Sequence, residues 1–122
     1  MKVLLGIGGS DDSVRALEET VKRSAVAGDD LTVAIVDNPS AERSTDELEE
    51  TVRRRLDAEG VTAEVRRLGG DPGSRLIEVA EREGFDKIVL GGGKTSPMGK
   101  IQIGGIAEFV LLNSHVTVSL VR

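Results

Sequence analysis

The chain has 122 residues, enough for one domain that buries a real core without staples. Its 16 basic and 21 acidic residues leave a net charge of −5, which disfavours nonspecific attraction to nucleic acid or anionic membrane, and the absence of cysteine excludes disulfides and thiolate metal sites. No apolar run approaches the roughly 20 residues that cross a bilayer, and Val3-Leu4-Leu5-Gly6-Ile7 is too short for a signal-peptide core, so the expectation is one soluble, cytoplasmic domain over residues 1–122.

Strand-like and helix-like segments alternate along the whole chain, the pattern of a parallel sheet with crossover helices on its faces. Residues Lys2 to Ile7 read as a first strand, nearly all apolar and so covered on both sides. Ser10 to Asp12 supply capping side chains, and Val14, Leu17, Val21 and Ala25 recur at helical spacing, predicting a helix from Asp12 to Ala27 that Gly28 stops. Leu31 to Val36 reads as the second strand, ending at Asp37-Asn38-Pro39. Ser44-Thr45-Asp46-Glu47 has capping-box spacing, with Leu48, Val52 and Leu56 as the buried stripe of the second helix and Gly60 as its stop.

The third strand is expected over Val61 to Leu68, where apolar and charged residues alternate as on an edge. Asp71-Pro72 opens a third helix that lasts until Gly84. Lys87 to Leu90 follows as the fourth strand, Gly91 to Ile103 as a long glycine-bearing loop, Ile106 to Leu112 as the fourth helix and Val116 to Val121 as the fifth strand.

Right-handed crossovers leave few orders for five parallel strands, and a doubly wound sheet binds ligands beyond the carboxyl ends of its strands where the winding reverses. In the order 3-2-1-4-5 the reversal lies between strands one and four. The small-residue turns Gly6 to Ser10 and Gly91 to Gly93 then meet at one crevice. Backbone amides there, with the helix start at Gly104, Gly105 and Ile106, form a cradle suited to phosphate.

Other motifs fail on spacing or context. Gly93-Lys94-Thr95 lacks the upstream glycine of a P-loop, since Ile88 stands there, and Ser96-Pro97 replaces the helix; the dinucleotide fingerprint lacks its third glycine. His115 has no second histidine or cysteine with which to bind metal or form a triad, and reads as a solvated turn residue. No serine sits in a nucleophile elbow and no carboxylate pair is separate from turn and capping roles, so no catalytic residue and no metal site is assigned. Phe85 and Phe109, the only aromatics, read as core and give no stacking platform for nucleic acid.

The start Lys2-Val3-Leu4-Leu5, the turn ending in Ser10, Ala16-Leu17, Gly70-Asp71-Pro72, the run from Phe85 to Gly91 and the closing strand from Val116 to Arg122 together resemble the universal stress protein family over essentially the full length. The resemblance implies a three-layer αβα domain, flavodoxin-like or adenine-nucleotide α-hydrolase-like, with a five-stranded parallel sheet. Some members bind ATP or AMP and others do not. Their binding loop reads glycine, two residues, glycine, nine residues, glycine, then serine or threonine. Here Gly91 and Gly104 keep the spacing, while Lys94 replaces the second glycine and Gly105 the hydroxyl residue.

Nucleotide-binding members also place an acidic residue two before the serine, near the ribose and any phosphate-bound metal; this chain has Gly8 there and retains Ser10. Asp11, Asp12 and Asp37 are the carboxylates that could reach the crevice instead, though capping and turn roles account for each. Losing the hydroxyl at position 105 removes a donor worth about 1–2 kcal/mol to a charged acceptor, while the amides of Gly104, Gly105 and Ile106 remain. Lys94 and Lys100 are candidate phosphate cations, and the family pattern puts Ile35 against the base. The resemblance thus implies an ATP or AMP site at Gly8, Ser10, Ile35, Gly91, Lys94, Gly104, Gly105 and Ile106, with magnesium only alongside a nucleotide and at most weak ATP hydrolysis.

The last strand carries no lysine, proline or inward charge to block pairing, so Val116, Val118 and Leu120 are expected at the interface of a homodimer closed by twofold symmetry. The expected function is a homodimeric binding module of the stress response. Two alternatives stay open: an interaction scaffold that binds a protein partner without nucleotide, and a variant that binds only phosphate or another anion.

Overall fold

The computed structural model describes residues 1–38, 43–92, 94–95, 101–102 and 104–122. In chain order the elements are β1 (Lys2–Ile7), α1 (Asp11–Ala27), β2 (Asp30–Val36), α2 (Thr45–Glu59), β3 (Glu64–Leu68), α3 (Pro72–Arg82), β4 (Lys87–Gly91), β5 (Lys94–Thr95), β6 (Ile101–Gln102), α4 (Gly105–Asn113) and β7 (Thr117–Val121). Five strands form one parallel sheet in the order β3-β2-β1-β4-β7, the doubly wound arrangement expected from the sequence.

Side chains alternate across this sheet and build two cores. Val3, Leu5, Ile7, Val33 and Ile35 pack against Leu17, Val21, Leu48, Val52 and Leu56, on the face covered by α1 and α2. Leu4, Ala34, Val36, Ile88 and Leu90 pack against Leu76, Val79, Ala80, Ala107 and Val110, on the face covered by α3 and α4. Because β1, β2 and β4 are buried on both faces, their sequences are mostly apolar after a charged first residue, with the buried Thr32 as a polar exception in β2. β3, by contrast, keeps a charged, half-open edge.

Serine and aspartate caps set the helix starts. Ser10, Ser44 and Asp71 accept hydrogen bonds from the backbone N–H groups of Ser13, Glu47 and Ser74 at 3.1, 3.2 and 3.1 Å. The Ser44 hydroxyl also meets Glu47 Oε1 at 3.2 Å, so the expected box is closed at the level of side chains.

Several boundaries differ from the sequence expectation, two of them for local reasons in the hydrogen bonding. β3 begins at Glu64 rather than Val61, because the Val61 N–H turns back to the Leu56 carbonyl at 3.0 Å and keeps the chain in the helix exit. The last strand begins at Thr117, because the Ser114 hydroxyl takes both backbone groups of Val116 at 2.9 and 3.0 Å and withholds them from the ladder. Within the segment expected to be only loop, β5 and β6 pair antiparallel through Lys94↔Gln102 and Thr95↔Ile101.

Candidate functional site

The crevice opens where the sheet reverses, beyond the carboxyl ends of β1, β2 and β4. Its volume is about 410 Å³, within the size range of small-molecule sites. Each wall comes from a different element: Gly8 after β1, Val36 and Asn38 at the end of β2, Gly91 and Gly92 at the end of β4, and the first turns of α1 and α4. The two small-residue turns, more than 80 positions apart in sequence, thus line one space.

The first turn is fixed by serines. Ser13, buried, accepts from the Gly9 N–H at 3.1 Å and donates to the Ser10 carbonyl at 2.8 Å, while Ser10 caps the helix in return. Gly9 has φ of 90°, a left-handed backbone that suits glycine. Arg43, just before α2, donates to the Gly9 carbonyl at 2.8 Å and to Asp11 Oδ1 at 3.0 Å, so the same turn is held from outside as well.

Gly91 answers a packing demand. A Cβ there would overlap the carbonyl of Asp12 and stand 2.7 Å from the Ser13 nitrogen, so the start of α1 lies directly on the end of β4. Gly104 and Gly105 are different: a Cβ on either would meet nothing within 4 Å. Gly104 is the N-cap of α4 and makes no side-chain capping bond, in contrast to Ser10, Ser44 and Asp71. The first amides of α4 therefore face the crevice without a capping oxygen, an arrangement that favours an anion.

Of the residues expected at the site, Gly8, Ser10, Gly91, Gly104, Gly105 and Ile106 line the crevice. Ile35 does not. It is 1% exposed and belongs to the α1/α2 core, because one step along the strand reverses the face; Val36 is the β2 residue that reaches the crevice. Lys94 is placed through its backbone pairing in the β5–β6 hairpin, and its side chain and Lys100 lie outside the described residues. Among the carboxylates, Asp12 lines the crevice and is paired with Arg15 at 3.3 Å, whereas Asp11 is engaged by Arg43 and Asp37 is exposed.

Ser13, Val36, Asn38 and Ala107 join the site without having been singled out as its residues from the sequence, whereas Asp12 is one of the three carboxylates expected to be able to reach the crevice and does line it. Ser10 and Ser13 at i, i+3 across a helix start carried a readable signal, and Asn38 stood beside a strand end. His115 is a surface partner: its Nδ1 lies 2.8 Å from Glu81 Oε1, and that contact holds the Glu81 carboxyl below its ordinary range.

The sequence matches the Universal stress protein family over residues 1–122. The chain belongs to that family. A relative from Methanocaldococcus jannaschii, Universal stress protein MJ0531, is 31% identical over 71 residues, which are 58% of this chain and 42% of that protein; the match thus covers less than half of the relative's length. The structure of a universal stress protein from Archaeoglobus fulgidus superposes with a TM-score of 0.75 at 24% identity, covering 100% of this chain and 98% of the other. A universal stress protein from the same organism, solved in complex with dAMP, gives 0.70 at 20% identity over 100% and 98%. These likenesses show the universal stress protein fold, with the three-layer arrangement described above.

Proposed function

We propose that this universal stress protein is a cytoplasmic, homodimeric module that binds an adenine nucleotide in the crevice between β1 and β4. The uncapped start of α4, opening onto that crevice opposite the first turn of α1, is the observation that carries the reading. A phosphate would sit against the Gly105 and Ile106 amides, and a base would lie toward Val36, the residue at the end of β2 that lines the crevice. The related protein from A. fulgidus, solved with dAMP, supports an adenine mononucleotide as the ligand class. We read the role as binding rather than turnover, because among the described lining residues the Ser10 and Ser13 hydroxyls are engaged in holding the first turn and the Asp12 carboxylate pairs with Arg15.

Calorimetric titration with AMP and with ATP tests the reading. Saturable heat with one site per chain is expected, and its absence at millimolar ligand would overturn it. A second reading, an interaction module, is favoured by one specific observation: Phe109, Leu111 and Leu112 of α4 are solvent-exposed at 40, 40 and 76%. For that surface we propose a second copy of the chain, joined along β7.

A further inference from the structure

Gly8 and Asn38 occupy one space between them. An ideal Cβ on Gly8 would stand 3.2 Å from Asn38 Cβ, 3.3 Å from Asn38 Nδ2 and 3.6 Å from Val36 Cγ2. A side chain at position 8 would therefore press on Asn38 and make it give by a few tenths of an ångström. Both residues line the crevice.

This packing sets the polarity of the wall. A carboxamide presents two N–H donors and one oxygen and carries no charge. The remaining polar lining consists of backbone at Gly91, Gly92, Gly104 and Gly105, the Ser10 and Ser13 hydroxyls, and Asp12, whose carboxylate has Arg15 at 3.3 Å. Among the described residues no group of three or more His, Cys, Asp or Glu side chains could hold a metal ion. Magnesium prefers carboxylate and water oxygens, whereas a phosphate prefers N–H donors, which the helix start offers and to which an uncharged carboxamide adds no repulsion.

We propose that Asn38, seated over Gly8, is a specificity-determining residue that makes the crevice take a nucleoside monophosphate directly, without a divalent cation. This rests on the nucleotide reading of the crevice. The uncharged amide adds no repulsion where a carboxylate would repel the phosphate and require a bridging cation.

The test compares AMP affinity in EDTA with affinity in excess magnesium, for the unaltered protein and for Asn38→Asp, which changes charge with almost no change in volume. The unaltered protein should bind AMP equally in both buffers. Asn38→Asp should lose roughly tenfold in EDTA, the effect of one added charge near the phosphate, and regain much of it with magnesium. Gly8→Ala, which crowds Asn38 without adding charge, should weaken AMP equally in the two buffers. Tighter binding of AMP to the unaltered protein with magnesium, or Asn38→Asp binding as the unaltered protein does, overturns this proposal and leaves the nucleotide reading standing. If the unaltered protein binds neither AMP nor ATP in either buffer, both fall. The magnesium comparison on the unaltered protein decides the question even if a variant fails to fold.

Discussion

Gly91 lies so close beneath Asp12 that a single methyl group on it would overlap the Asp12 carbonyl. The obstacle is backbone in the first turn of α1, which cannot rotate away as a side-chain tip could. Gly91→Ala must therefore push α1 off the end of β4 or bend the strand, at a cost of about 3 kcal/mol. Chemical denaturation should show this as a fall in midpoint with little change in slope. Nucleotide affinity should fall as well, because the displaced turn carries Ser10 and Ser13.

Gly104→Asp separates stability from binding. No atom stands within 4 Å of a Cβ at this position, and the backbone is extended at φ −64° and ψ 157°, so aspartate fits without strain. It supplies the missing cap and a favourable charge at the start of α4, worth about 0.5 kcal/mol. The same carboxylate takes the amides a phosphate would use. Thermal melting should move up slightly while AMP affinity drops at least tenfold, and a variant that lost both would argue against an anion site at this helix start.

Much of this site was legible before coordinates, and the rest was hidden for definable reasons. The alternation of strands and helices with right-handed crossovers left few strand orders, the charged β3 read as an edge, and in the order 3-2-1-4-5 Gly8 and Gly91 come to one crevice. The face of Ile35 was not legible. Every residue from Leu31 to Val36 is buried, so the period-two signal that assigns faces is absent, and Val36 rather than Ile35 reaches the opening. The sharing of space by Gly8 and Asn38 joins two loops through sterics and leaves no trace in either local pattern. The two-residue pairing of β5 with β6 is likewise too short to generate periodicity.

Arg66 on β3 joins two carboxylates, with its Nε 2.8 Å from Glu64 Oε1 and its Nη2 2.7 Å from Glu83 Oε1. Hydrogen bonding to this guanidinium holds both carboxyls below their ordinary value of 4.5. A carboxyl whose folded pKa is depressed contributes stability above its unfolded value and loses it as pH falls through the folded one. The contribution is therefore complete above about pH 5 and drains away below 4.5. Melting temperature measured down to about pH 2.5 should show Arg66→Gln below the unaltered protein at neutral pH and converging with it in acid. Parallel curves at all pH values would mean that Arg66 acts through packing alone.

β7 ends the sheet, and among the described residues no strand pairs with its outer edge. Val116, Val118 and Leu120 are only partly buried against the α3/α4 core, and the neighbouring α4 leaves Leu112 76% exposed. An edge strand without a lysine or proline is a template for pairing, and antiparallel contact with the same strand of a second copy closes with twofold symmetry. Val118→Lys would bring two like charges together across that contact, and Leu112→Lys would charge the apolar surface of α4. Sedimentation equilibrium should give a dimer for the unaltered protein and a monomer for Val118→Lys, with Leu112→Lys weakening association at unchanged melting temperature. Since neither side chain lines the crevice, a monomeric Val118→Lys that still binds AMP would place assembly and ligand on separate surfaces. A monomeric unaltered protein at micromolar concentration would overturn the dimer and leave the crevice as the chain's main functional feature.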